Sequence, residues 1–175
     1  MRSRAVLLIV LLLGMAIAPM GSTDSTISTS TTWSGNVVLT GNVTVDSSST
    51  LVLEPGTVVD AQSYWLQIDG TLQASDSEFM TTKTPISQGS TGAGLWGGIL
   101  VSNGALAALS NITISGAETA LDVHGEVTID ESITIRTSYI GFNIEPPGTL
   151  DAENITMSTI DIQSVVNHGD LAIDT

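Results

Sequence analysis

Short runs of alternating apolar and polar residues follow one another along this chain from about residue 35 onwards. In the stretches 41–45, 50–59 and 66–74, Val, Ile or Leu recurs at alternate positions, and Gly, Asn, Asp or Ser separates one run from the next. A period of two predicts β-strands, and the small polar residues between the runs predict turns. Because helix signals are scarce, the sequence predicts an all-β protein.

The second half of the chain repeats itself. Gly104, Gly125, Gly148 and Gly169 are separated by 21, 23 and 21 residues, and each opens a similar phrase. The central parts of these phrases are Asn-Ile-Thr-Ile, Ser-Ile-Thr-Ile and Asn-Ile-Thr-Met, which begin at residues 111, 132 and 154. A fixed period of this length, made of strands without a helix, indicates a solenoid in which each coil stacks on the next.

The repeat therefore predicts a right-handed parallel β-helix of about six coils, with roughly 21 residues in each coil. The apolar residues of the repeated phrase should point inward and form stacked columns: Ile112, Ile114, Ile133, Ile135, Ile155 and Met157. Their polar neighbours should face outward or lie in turns: Asn111, Thr113, Thr134, Asn154 and Thr156.

Several motifs make the chain resemble the pectin-lyase-like superfamily, whose secreted members are right-handed β-helices. These motifs are Trp33, Leu-Thr-Gly at 39–41, Leu-Glu-Pro-Gly-Thr-Val at 53–58, Ile-Asp-Gly-Thr-Leu at 68–72 and Trp-Gly-Gly-Ile at 96–99. The resemblance implies a microbial surface protein and specifies fold better than activity. Between Gly70 and Gly104 the spacing is too long for one coil, which predicts that 81–95 loops out of the stack.

The N-terminus is typical of a secretory signal peptide. Arg2 and Arg4 precede an apolar run of 13 residues at 5–17, so residues 1–22 are expected to be a signal peptide or an uncleaved anchor. The Ser/Thr-rich segment 23–34 is expected to be a flexible linker. The β-helix is assigned to 35–175 and is expected to be incomplete at its C-terminal end, which predicts further coils or end-to-end self-association.

Charge excludes some partners. All 18 acidic residues follow residue 22, whereas Lys83 and Arg136 are the only basic ones there, so +2 and −18 give the mature chain a net charge of −16. Nucleic acid is not an expected partner because phosphate binding requires a basic surface. The acidity favours solubility, with Ca²⁺ capture as the alternative, and no cofactor is predicted. No run after the N-terminus is long enough to span a membrane.

The resemblance directs attention to carboxylates, because relatives that cleave polysaccharides place an acid and a base on either side of one sugar linkage. Aligned coils bring Asp122 near Glu145 and Glu131 near Glu153, and Arg136 is the one arginine available as a base or a substrate anchor. The Asp-Asp, Asn-Thr-Asp and Arg-Ile-Lys motifs of those relatives are absent. Solvated carboxylates are therefore favoured over a catalytic pair.

Three further sets of residues are candidates for other roles. Trp65 is the candidate glycan-binding platform, whereas Trp96, which precedes a Gly-Gly-Ile strand start, is expected to act as a cap or to pack in the core. Asn42, Asn111 and Asn154 begin glycosylation sequons that β-helix turns would also use. His124 and His168 precede coil-opening glycines, with Pro147 expected between them, and lie two coils apart, too far to share a metal.

The sequence thus favours a secreted or cell-surface structural or adhesive module that is not an enzyme. The alternative is a carbohydrate-active β-helix, either a polysaccharide lyase or hydrolase or a glycan-binding module. The expected partners are extracellular polysaccharide or other surface proteins.

Overall fold

The alternating runs form β-strands, and each strand pairs in parallel with the corresponding strand one coil away. The structure is a computed structural model that describes residues 23–84 and 92–173. In these residues the chain forms fourteen strands and no helix, wound into a solenoid of about 6 turns with about 22 residues per turn. The predicted right-handed parallel β-helix is confirmed. The predicted signal peptide lies outside the described residues.

Three ladders of parallel strands run along the stack. Ladder 1 contains, in the second half of the chain, the strands that precede the coil-opening glycines, and it continues down to the first coil. Its members are β1 (Ser25–Ile27), β4 (Val43–Val45), β7 (Trp65–Ile68), β9 (Gly98–Val101) and β11 (Thr119–Val123), followed by 140–144 of β12 (Glu126–Ile144) and 163–167 of β13 (Thr149–Asn167). The long strands β12 and β13 bend around corners, so each of them contributes to all three ladders.

Ladder 2 is the next side of the coil. It contains β2 (Thr31–Trp33), β5 (Thr50–Leu53), the first halves of β8 (Thr71–Met80), β10 (Leu106–Ser115), β12 and β13, and β14 (Asp170–Ile173). Ladder 3 contains β3 (Asn36–Val38), β6 (Val58–Asp60) and residues 78–80, 112–115, 133–136 and 155–158 of the long strands.

The core fills the space between the ladders with one apolar side chain above another. Ile133 pairs in register with Ile112 below it and Ile155 above it, and Ile135 pairs in the same way with Ile114 and Met157. The four isoleucines of the lower two coils are at most 1% exposed, as predicted. Ile155 and Met157 are only partly buried, because no strand of ladder 3 covers them in the described part of the chain.

The expected linker at 23–34 is wrong. Its residues form β1 and β2, which pair with β4 and β5 and make the first coil of the stack. At the end of a solenoid a strand needs backbone partners on one side only, and Ile27 and Trp33 supply enough apolar surface to pack on the core.

Residues 85–91 of the predicted excursion lie outside the described residues, and its described parts lie between the end of β8 at Met80 and the start of β9 at Gly98. Its last residues are fixed to the next coil. The Trp96 indole is 2% exposed and donates a hydrogen bond to the carbonyl of Ser115 at 2.8 Å, and the Gly94 amide donates one to Ala117 at 3.0 Å. The prediction that Trp96 packs in the core is confirmed.

Candidate functional site

The outward side of ladder 1 and the corner that follows it carry several of the predicted functional residues, among them Trp65, Asp122 and Glu145. One outward column of ladder 1 contains, in consecutive coils, the residues Gln67, Leu100, Asp122 and Asn143, which are in register with one another. The residue after each strand donates its amide to the carbonyl that ends the strand one coil below. This pattern defines a column at the corner with ladder 2, which we name the polar row: Asp46, Asp69, Ser102, His124, Glu145 and His168.

Side-chain contacts connect the polar row to its surroundings. Ser102 donates to Asp69 Oδ1 at 2.6 Å, and His168 Nδ1 lies 3.1 Å from Glu145 Oε1 one coil below. His124 Nε2 lies 3.2 Å from Asp122 Oδ1, which also accepts a hydrogen bond from the Asn143 amide at 2.9 Å. Both histidines lie at turns, as predicted, and each contacts one carboxylate.

Two expected alignments on this face are corrected. Glu145, not Pro147, lies between the two histidines, because Glu145 is the residue that follows the strand ending at Ile144. The register also places Asn143 opposite Asp122, so Glu145 lies two residues further along the strand and turns to His168 instead. Sequence alignment on the coil-opening glycines missed this, because the extra residues before Gly148 lie in the turn.

The second acid pair lies at the corner between ladders 2 and 3. Ile129 pairs with Ala152 but Ser132 pairs with Asn154, so a bulge places both Asp130 and Glu131 against Glu153. All three carboxylates are exposed, and Glu131 has a backbone φ of 68°. The structure thus adds Asp130 to the predicted pair and leaves all three side chains facing solvent.

Arg136 lies on a different side of the coil from the Asp122 carboxylate. It is exposed at the end of the ladder 3 segment of β12, where the register places Ser115 below it and Ser158 above it. Within residues 23–84 and 92–173 no carboxylate forms an ion pair with Arg136. The register thus places Arg136 on ladder 3 and Asp122 on ladder 1, whereas Asp130, Glu131 and Glu153 lie at the corner where ladder 3 begins.

The three tryptophans differ in exposure. Trp65 is 48% exposed, as predicted, whereas Trp33 is partly buried and Trp96 is buried. The residue in register with Trp65 one coil above is Gly98, which adds no side chain beside the indole. Gly98 has a φ of 100°, and a Cβ there would lie 1.6 Å from the Thr119 carbonyl oxygen, so only glycine fits.

An open groove of about 290 Å³ runs beside Trp65. Gly97 and Gly98 form part of its wall, and the rest of it is lined by Ile99, Leu100, Glu118, Thr119 and Asp122. Its size is at the lower limit of small-molecule sites, which start at about 300 Å³. The groove combines one exposed aromatic ring, two aliphatic side chains, one hydroxyl and two carboxylates.

The sequon asparagines take part in the ladder corners. The Asn111 amide donates to Asp76 Oδ1 at 2.7 Å, and the Asn154 amide donates to the Glu131 carbonyl at 2.8 Å. Asn42 Oδ1 accepts the backbone amide of Trp65 at 3.3 Å. Glycans are attached to the amide nitrogen, which in Asn111 and Asn154 already holds neighbouring coils together. Glycosylation of these residues stays a prediction.

One polar cluster was not found from the sequence. Asp60 is 9% exposed and accepts hydrogen bonds from the Thr82 amide and hydroxyl at 3.1 and 2.6 Å and from the Gln62 amide at 3.1 Å. Burial raises the pKa of Asp60, but the hydrogen bonds from Thr82 and Gln62 outweigh it and hold the pKa below its ordinary value. The cluster fixes the start of the excursion to the stack.

The described residues contain no group of three or more His, Cys, Asp or Glu side chains arranged to hold a metal ion. They also contain no helix with the length and apolar character needed to cross a membrane. The fold and the outward rows define the class of the protein, a parallel β-solenoid with a polar, aromatic-bearing face. No family model, curated protein or solved structure matches the chain.

Proposed function

We propose that this chain is an extracellular or cell-surface module with a structural and adhesive role and no catalysis of its own. The observation that carries the proposal is that Arg136 and Asp122 lie on different ladders. Arg136 faces out from ladder 3 between Ser115 and Ser158, whereas Asp122 faces out from ladder 1 and contacts His124 and Asn143. An acid and a base that act on one linkage must lie on the same face.

Export is supported by the sequence alone. Arg2, Arg4 and the apolar run at 5–17 have the order of a secretory signal, and the resemblance to pectin-lyase-like surface proteins agrees with it. A chain without cysteine must be stabilised by packing and backbone pairing, and the continuous ladders provide both. The acidic surface keeps such a stack soluble outside the cell.

A second candidate function is glycan binding, and the Trp65 groove favours it. An exposed indole beside a wall of glycines can stack on a sugar ring, and Asp122 and Glu118 can accept hydrogen bonds from sugar hydroxyls. This candidate agrees with an adhesive role, because an adhesive surface needs a ligand.

The experiment is to immobilise the purified protein and to measure both retention and cleavage of acidic, neutral and amino polysaccharides. We expect at least one polysaccharide or cell surface to be retained and no new reducing ends or unsaturated sugars to form. Turnover that disappears in Arg136→Ala, or in a Glu131→Gln, Glu153→Gln double variant, would contradict the non-catalytic proposal. The silent substitution Thr134→Ser on ladder 3 provides the matched control.

A further inference from the structure

The groove beside Trp65 has an open aromatic surface. The indole is 48% exposed, and the two residues nearest to it in the coil above are Gly97 and Gly98. A Cβ at Gly97 would lie 2.9 Å from Trp65 Cβ and 3.7 Å from its Cε3 atom, so a side chain there would crowd the ring. The local sequence Trp96-Gly97-Gly98 therefore keeps one side of the indole accessible to a flat ligand.

The charged residues that line the groove are both acidic, and one of them, Asp122, also contacts His124 and accepts a hydrogen bond from Asn143. Glu118 is exposed, Asp122 has a side chain that is 31% exposed, and both line the groove. The basic residues of the described chain, Lys83 and Arg136, do not line it. Because the mature chain has a net charge of −16, it would repel a uronic acid polymer and attract a ligand with ammonium groups. The aromatic ring also attracts cations through its electron-rich face.

We propose that the Trp65 groove binds a glycan that contains protonated amino sugars. One sugar ring stacks on the Trp65 indole, and its ammonium group faces Glu118 and Asp122. This inference rests on the glycan-binding function proposed above and specifies the ligand class of that site. A lysine-rich peptide has the same charge, but a ring with flat C–H faces matches the exposed indole and the shallow groove better than a flexible side chain does.

The test compares three tetrasaccharides of equal length: glucosamine tetramer, its fully N-acetylated form, and tetragalacturonate. Binding to the full protein is measured by calorimetry and tryptophan fluorescence below the pKa of the sugar amines. We expect the glucosamine tetramer to bind about tenfold more tightly than the N-acetylated form, because two exposed carboxylates each contribute a few-fold. Tetragalacturonate should not bind measurably.

Variants separate the two parts of the site. Trp65→Ala should abolish binding of both uncharged and charged tetramers, and Glu118→Gln with Asp122→Asn should weaken the glucosamine tetramer about tenfold while leaving the N-acetylated form unchanged. The matched controls are Leu106→Ala, an exposed apolar residue on ladder 2, and Asp151→Asn, an exposed acid there. Circular dichroism melts verify that all variants fold.

The amino-sugar inference and the glycan-binding function can fail separately. Equal binding of the glucosamine and N-acetylated tetramers, lost in Trp65→Ala, would overturn the amino-sugar inference and leave the glycan-binding function standing. No binding of any tetramer, with Trp65→Ala like the parent, would overturn both. A lysine tetramer that binds as tightly as the glucosamine tetramer would also overturn the inference, because the groove would then recognise charge alone.

Discussion

Replacing Ile133 by alanine should destabilise the stack far more than the same change at Ile155, although the two residues belong to one column. Ile133 is fully buried between Ile112 and Ile155, whereas Ile155 is partly exposed on its upper side. The substitution removes three buried carbon atoms, and each of them lowers the free energy of unfolding by about 0.8 kcal/mol. The unfilled cavity lowers it by about 1 kcal/mol more, so the total loss is about 3 to 4 kcal/mol. For Ile155 we expect about 1 to 2 kcal/mol, since part of the side chain is already hydrated.

Urea unfolding followed by circular dichroism measures both variants, with Thr134→Ala as an outward control that should change stability by less than about 0.5 kcal/mol. The slope of the transition should stay constant if the coils unfold together. If substitutions at 133 and 155 lowered the free energy of unfolding equally, or if the substitution at 134 lowered it as much as that at 133, the inward and outward assignment would be refuted. The register derived from that assignment would be refuted with it.

Three other predictions follow from particular corners and edges of the stack. Thr137 has a φ of 55°, which is strained for a β-branched residue, at a corner where the coil below has Gly116. Thr137→Gly should therefore raise the free energy of unfolding by about 0.5 to 1 kcal/mol, measured by thermal melts. A lower melting temperature would contradict this prediction. The pKa of Asp60 is lowered in the folded protein, so its stabilising contribution is present above about pH 4 and is lost as pH falls through the folded pKa. Asp60→Asn should therefore flatten acid unfolding below about pH 4, and an unchanged acid profile would refute this prediction. Ile162 is 71% exposed in the part of β13 with which β14 does not pair in the described residues. Light scattering should therefore detect concentration-dependent association, and Ile162→Lys should suppress it. Association that is unchanged in that variant would place the contact elsewhere.

The periodic part of the fold could be predicted from the sequence because two signals agree there. Alternation identifies which residues of 112–114 and 133–135 point inward, and the spacing of Gly104 and Gly125 gives the length of a coil. Backbone pairing at a constant distance then leaves only one register that buries the isoleucines. The burial of Trp96 was predicted from its position before the Gly-Gly-Ile strand start, and the exposure of Trp65 from its position after Tyr64.

The parts that were missed depend on contacts that a repeat does not encode. Ser and Thr at 25–33 resemble a linker by composition, yet they need only one neighbouring strand to become part of the ladder. The two extra residues before Gly148 are absorbed in a turn, so Glu145 rather than Pro147 joins the polar row. Asp60 meets Thr82 from the following coil across 22 residues, and no local pattern marks that contact.

Hydrogen exchange with a bound glycan tests the central claim, that the molecule binds ligands on ladder 1 without catalysing a reaction. The protein is incubated with and without the glucosamine tetramer, and amide protection is mapped while mass spectrometry records the length of the sugar. We expect added protection at 65–67, 97–100 and 118–122, with the tetramer intact. Protection centred on 134–136 of ladder 3, or shortened sugars that depend on Arg136, would contradict it.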